Sequence, residues 1–354
     1  MISITMLSRA DTVKGQGVGS AYNELVRMLQ ERFSDEFKIE INSTKKADVS
    51  HYHTINPEFY LSTLTPKSRG VKVGYVHFLP ETLKGSIDLF RPFQKVFDWY
   101  VMSFYKRMDI LVVVNPSFIP ELVAAGIPEK KVCYIPNFVS TEDFYPQTAA
   151  EKKEKRQELG YASDDFIVLG VGQIQKRKGL DDFIQLAKDH PEMQYIWVGG
   201  FSFGKITDGY EDYQEVYENP PANLRFTGII DRNQLVDYYN MADVFLLPSY
   251  NELFPMSILE SFSCHTPVLV RNLDLYESVI SGYYMGADDR QQMSEKLTAL
   301  RQDPSQLDEY AQLSAKAALH YSEDNVAKIW HRFYTDLAAG HKLTLDPDNR
   351  EVQP

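Results

Sequence analysis

The chain has 354 residues, 44% of them apolar, which suits about two domains that each bury a core and rules out a purely disordered or disulfide-stapled chain. Net charge is −12 at pH 7, divided as +3 over residues 1–140 and −15 over the remainder. An acidic C-terminal half argues against nucleic acid, whose binding rests on phosphate neutralisation, and a mildly positive N-terminal half suits an anionic surface.

Cys133 and Cys264 lie far apart without CxxC or histidine spacing, so neither a disulfide framework nor a structural zinc site is expected, and a reducing compartment fits. No N-terminal segment has the parts of a signal peptide, and no apolar run approaches the roughly 20 residues that span a bilayer. Any membrane contact is expected to be peripheral.

In chain order, "ISITMLS" (2–8) is an apolar strand, "KGQGVGSAY" a glycine loop and "NELVRMLQERF" a helix by its apolar spacing. "VKVGYVHFL" (71–79), "DILVVVN" (109–115) and "KVCYIPN" (131–137) repeat the strand signal, with the helix "SFIPELVAAGI" between the last two. His51 and His53 lack a matched carboxylate or further histidine for a metal and are assigned a strand-edge role. The stretch 139–160 breaks the periodicity with a dense charge run, as a linker and a solvated helix do. Five short buried strands follow, in 165–173, 194–200, 223–228, 242–249 and 266–272, with helices between them. The pattern is α/β with parallel sheets in two successive domains, bounded at 1–145 and 146–320, and 321–354 adds a last helix and a polar tail expected to fray.

Two elements of the second domain carry chemistry. In "YNELFPMSILESF" (250–262), Glu252 follows a strand, Pro255 suits the first turn of the next helix, and Glu260 lies within that helix. A helix start after a parallel strand seats a diphosphate, and the two carboxylates are able to bind sugar hydroxyls; a turn cap and a solvated glutamate are the plain alternatives. Upstream, "GVGQIQKRKGLDDF" (170–183) places Lys176, Arg177 and Lys178 between a strand and a helix, where ammonium and backbone groups reach phosphates. The loop Gly15-Gln16-Gly17-Val18-Gly19 lacks the G-x-G-x-x-G spacing of dinucleotide sites.

Together with "IPNFVSTEDFYP" and "FTG" (226–228), these elements resemble the retaining nucleotide-sugar glycosyltransferases of family 4, over roughly residues 1–337. That resemblance implies a GT-B fold, two Rossmann-like domains facing a central cleft, with the last helix crossing back to the first domain. It implies that Glu260 holds the nucleotide ribose, that Glu252 lies beside the donor hexose, and that Lys178 binds the donor phosphates. Where the family usually has arginine this chain has Gln173, so Arg177 or Lys176 supplies part of the charge. Gly15 and Gly17 would close over the diphosphate, His77 would face the donor sugar, and Phe254, Pro255 and Met256 would complete the donor site. A DxD metal motif belongs to the other main glycosyltransferase fold, and its one clear match, Asp346-Pro-Asp348, lies in the tail, so no divalent ion or other cofactor is expected.

Residues 86–108 place Phe90, Phe93, Phe97, Val101, Phe104 and Met108 at helical spacing, flanked by Trp99, Arg91, Lys95, Lys106 and Arg107. Either an interfacial helix resting on anionic lipid or a buried helix fits, and Asp88, Asp98 and Asp109 dilute the basic patch. "VKGQGVGSAYNELV", "GQIQKRKG" and "IPNFV" are similar to the second-step glycolipid synthases of Gram-positive bacteria, which add a hexose to monoglucosyl-diacylglycerol to make a dihexosyl lipid that can anchor lipoteichoic acid. The expectation is an α-hexosyltransferase using UDP-glucose or UDP-galactose, peripheral on the cytoplasmic face of the membrane. A polysaccharide or other non-lipid acceptor, a nucleotide-sugar epimerase and a non-catalytic binding protein are the alternatives.

Overall fold

The computed structural model of the chain describes residues 1–9, 17–77, 79, 91–201 and 210–353. They form two units, Met1–Phe138 with Glu323–Pro354 and Val139–Ser322, and each unit is built on a six-stranded parallel sheet.

In the first unit the strands are β1 (Ile2–Leu7), β2 (Phe37–Ile41), β3 (Val49–Tyr52), β4 (Val71–Val76), β5 (Ile110–Val113) and β6 (Val132–Tyr134), in the order β2-β1-β3-β4-β5-β6. β3 pairs with β1 on one side and β4 on the other, so His51 is internal to the sheet, and both His51 and His53 are buried. The strand-edge role is thereby corrected; a four-residue strand with two polar side chains gives too little periodicity to show its neighbours. The helix Glu323–Ala339 belongs to this unit and buries Trp330, Phe333 and Tyr334, with the His51 ring 2.7 Å from the Tyr334 hydroxyl.

The tail is ordered rather than frayed. The Tyr134 N–H donates to the Arg350 carbonyl and the Val352 N–H to the Tyr134 carbonyl, both at 3.0 Å, so the tail satisfies the open edge of β6. Val352 is buried, and Arg350 donates to the Val132 carbonyl at 2.9 Å. The Asp346 carboxylate accepts the backbone N–H groups of Asp348 (2.8 Å) and Asn349 (3.3 Å), which makes it a turn cap.

In the second unit the strands are β7 (Ile167–Val171), β8 (Gln194–Val198), β9 (Leu224–Gly228), β10 (Val244–Leu247), β11 (Val268–Arg271) and β12 (Met285–Ala287), in the order β12-β11-β10-β7-β8-β9. All of β7, β10 and β11 is buried, as expected of strands covered on both faces. On one face Phe183 meets Tyr195 and Trp197 edge-on at 5.4 and 5.0 Å. The charge run becomes the helix Ala149–Glu158, whose N-terminus is closed by a capping box between Thr148 and Glu151. Arg156 ties it to the sheet through Asp243 (2.9 Å) and the Met241 carbonyl (2.8 Å).

Candidate active site

Strand order decides where a ligand belongs in the second unit. β7, its first strand, lies between β8 and β10, so the chain runs outward one way through β8 and β9 and the other way from β10. In an open parallel sheet the crevice forms at the carboxyl ends of the two strands where that direction reverses. Here these are β7 and β10, and the loops that follow them carry Lys178 and Glu252.

The two loops are fastened together. Gly179 ends the short helical turn Lys176–Lys178 with φ 71°, and a Cβ there would lie 2.1 Å from the Pro248 carbonyl oxygen; only glycine allows both the left-handed conformation and the approach. The Tyr250 N–H donates to the Arg177 carbonyl at 2.8 Å. The Arg177 guanidinium donates to Gln175 Oε1 at 3.0 Å and to the Asn251 carbonyl at 3.3 Å.

Between them Lys178 Nζ donates to Glu252 Oε1 at 2.5 Å, and Arg177 stands 3.7 Å from the other carboxylate oxygen. Both members of the pair are buried, Lys178 at 8% exposure and Glu252 at 6%. Burial pushes the Glu252 carboxyl up, but the Lys178 and Arg177 cations outweigh it and hold it below its ordinary value. Burial also draws the Lys178 ammonium down against the pull of Glu252. Two desolvated charges stabilise each other only while paired, so a ligand taking one must leave the other a partner. For Glu252, Arg177 is that second partner.

Glu260 sits apart from this pair, in the helix Met256–Ser263, every residue of which is buried. Its Oε2 accepts from the Tyr239 hydroxyl at 2.8 Å, and Arg232, lying over the Phe144 ring at 5.2 Å, approaches Oε1 to 3.5 Å. Burial raises the Glu260 carboxyl above its ordinary value while Arg232 and Tyr239 pull the other way. The two glutamates of the stretch 250–262 therefore have different partners. Tyr239 and Arg232 went unnoticed in the sequence because "DRNQLVDYYNMA" reads only as an amphipathic helix.

Pro255 is the N-cap of that helix, one residue before the first turn; its extended ψ of 132° keeps it outside. Met256 and Phe254 are buried, and the Phe254 ring packs edge-on to Tyr321 at 5.4 Å, so these side chains face protein. Gln173 lies half-buried in the loop after β7.

In the first unit His77 follows β4 and is buried, with its ring edge-on to Tyr75 at 4.4 Å and 5.7 Å from His53. His53 in turn lies 4.1 Å from His51. Burial drives His77 down to about 3 and His51, with the His77 charge adding, to about 3. Among the described residues no cluster of three or more histidine, cysteine or acidic side chains is arranged to hold a metal ion. Gly17 opens the helix Gly17–Arg32; Gly15 and Phe90 lie outside the described residues, as do the side chains of Arg91 and Phe93.

The helix Arg91–Lys106 has an inner and an outer face. Val101, Phe104 and, just beyond it, Met108 enter the core, where Phe104 meets Tyr52 edge-on at 5.7 Å, and Phe97 is half-buried. Of the two alternatives, the buried one holds for Val101, Phe104 and Met108. Trp99 and Val96 are 67% and 63% exposed, and Lys95 and Lys106 are exposed beside them. The neighbouring helix Pro57–Ser62 is held to this one by Tyr60 and Ser103, whose hydroxyls are 2.9 Å apart, and it leaves Leu61 and Leu64 exposed. Among the described residues no helix is long and apolar enough to cross a membrane.

Two units, each on a six-stranded parallel sheet, are the framework of a glycosyltransferase of the GT-B fold. The model for glycosyl transferases group 1 matches residues 151–319 and that for glycosyltransferase family 4 matches residues 16–143. The chain is 48% identical over 338 residues to the alpha-galactosylglucosyldiacylglycerol synthase of Streptococcus pneumoniae strain R6, covering 96% of this chain and 90% of that protein. It is also 23% identical to the alpha-monoglucosyldiacylglycerol synthase of Acholeplasma laidlawii, over 62% of this chain and 54% of that protein. Among solved structures, Anabaena HepE in complex with UDP and glucose superposes with a TM-score of 0.76 at 14% identity, covering 95% of this chain and all of that one. The chain belongs to glycosyltransferase family 4 and is a hexosyltransferase.

Proposed function

We propose that the chain is a retaining α-glycosyltransferase that moves glucose or galactose from a UDP-sugar to monoglucosyl-diacylglycerol, giving a dihexosyl-diacylglycerol. The observation that carries the donor half is the Lys178–Glu252 pair at the switch point of the second unit; the 48% identical synthase supports the acceptor half.

In this reading the donor diphosphate draws the Lys178 ammonium from Glu252, and Arg177 stays with the carboxylate so that no bare charge remains buried. Glu252 then accepts hydrogen bonds from hexose hydroxyls. Lys178, with Arg177 and the dipole of the helix that Pro255 caps, stabilises the charge that grows on the leaving diphosphate. Gln173 adds a neutral contact, and Glu260 holds the ribose in place of Tyr239 or alongside it.

The exposed Trp99, Val96, Leu61 and Leu64 with Lys95 and Lys106 supply an apolar tip and a basic rim that suit an anionic bilayer. The enzyme would then work as a peripheral protein on the cytoplasmic face, where its nucleotide-activated donor is made.

The test is to incubate the purified chain with UDP-glucose or UDP-galactose and monoglucosyl-diacylglycerol in anionic liposomes, with a chelator present, and to weigh the lipid by mass spectrometry. A gain of one hexose is expected. UDP release without a new lipid would keep the glycosyltransferase and discard this acceptor; conversion of the donor sugar with no acceptor consumed would favour an epimerase.

A further inference from the structure

Arg271, the last residue of β11, is buried and has no part in the donor contacts above. Its guanidinium nevertheless reaches four groups on three separate segments. It donates to the Pro248 carbonyl at 3.1 Å and to the Asp288 carbonyl at 3.0 Å, and it pairs with the Asp182 carboxylate. Its flat face lies over the Tyr250 ring, 4.2 Å from the centroid, and the Tyr250 hydroxyl closes the circuit by donating to Asp182 at 2.7 Å.

Three of these partners belong to the two segments that flank the switch point, and the fourth follows the edge strand β12. Asp182 is in the first turn of the helix Leu180–Asp189, directly after Lys178 and Gly179. Pro248 and Tyr250 lead into Glu252, and Asp288 follows β12. A planar, permanently charged fork makes all these contacts at once, whereas an ammonium has no face to stack and no fixed fork to divide among three acceptors.

We propose that Arg271 is a positioning residue for glycosyl transfer, fixing the loop that carries Lys178 against the loop that carries Glu252. The proposal rests on the donor-site reading given above. Its consequence is specific: a displacement of the two loops by a fraction of an ångström degrades the alignment of phosphate and hexose groups in the transition state. UDP affinity, set largely at Glu260 on a separate set of partners, is spared.

The test compares the full chain with Arg271→Met, Arg271→Lys and Tyr250→Phe by steady-state kinetics, UDP titration and hydrogen exchange. In Arg271→Met, kcat is expected to fall at least about tenfold, with the UDP Kd within about threefold, and Arg271→Lys to recover part of the loss. Backbone protection at 176–182 and 248–252 falls in both Arg271 variants. Tyr250→Phe keeps the stacked ring and loses only the hydroxyl bond to Asp182, so it lowers kcat without moving the thermal midpoint, which a purely structural role would not do. Arg271→Met with kcat within about twofold of the parent, or with unchanged exchange in both loops, overturns the proposal. If the parent chain makes no glycolipid, the functional reading fails by itself, and the exchange measurement still decides whether Arg271 couples the loops.

Discussion

Lys178 and Glu252 satisfy one another, and this sets what their removal should do. Lys178→Ala is expected to lower kcat by about 2–4 kcal/mol of transition-state stabilisation, as loss of a preorganised charge donor does, with a smaller change in donor affinity. It should also lower the thermal midpoint, because the one cation left beside Glu252 is the more distant Arg177. The double variant Lys178→Ala/Glu252→Ala should melt above Lys178→Ala, since removing both buried charges costs less than stranding one; a lower midpoint for the double variant would show that the pair is not what stabilises the loops. Glu260→Ala should weaken UDP binding about 10–100-fold, the worth of a charge-assisted hydrogen bond, read by calorimetry. Glu260→Gln, which still accepts from Tyr239, separates that loss from misfolding, and a UDP affinity unchanged in Glu260→Ala would remove the ribose role.

Among the elements, the helix Arg91–Lys106 with its neighbour Pro57–Ser62 carries the surface proposal. Because Trp99 and Leu61 are exposed, Trp99→Asp/Leu61→Asp should leave the unfolding free energy within about 0.5 kcal/mol of the parent while reducing partition onto phosphatidylglycerol vesicles about tenfold or more. Equal partition would return both helices to a plain structural role. The same helix shows where sequence reading stops. Period alone put Phe97 through Met108 on one face, and that face is real, but periodicity does not say whether an apolar face meets protein or lipid. Apolar strands such as β5, β7 and β10 were legible; β2, with only one fully buried residue, β3, with two polar ones, and β12, three residues long, were not. Glu252, Glu260 and Lys178 were singled out only by the resemblance to family 4, since by spacing alone a turn cap, a solvated glutamate and a basic loop read as readily. Tyr239, Arg232 and Arg271 were not, because their partners are distant in the chain and tyrosine or arginine alone carries no signature.

At the scale of the molecule, the first unit holds three neutral histidines in its core. His51 and His77 titrate near 3 in the folded chain against 6.5 when free, because burial disfavours the imidazolium. Between those values the unfolded chain binds protons that the folded one refuses, so stability is complete above pH 6.5 and is lost as pH falls toward 3, at up to about 1.4 kcal/mol per pH unit for each histidine. The thermal midpoint should drop between about pH 7 and about pH 5, and less so in His51→Phe; a flat profile would mean that the histidines are not held neutral by the fold.

The return of Glu323–Ala339 and the tail to the first unit also orders events during synthesis. The opening strands leave the ribosome first, yet the Tyr334 that bonds His51 and the Val352 that closes the β6 edge are made only after all of Val139–Ser322. At about 5–20 residues per second that wait lasts about 10–40 s. The second unit, contiguous in the chain, is complete before the first, so the half that is begun earliest is the half that is finished last.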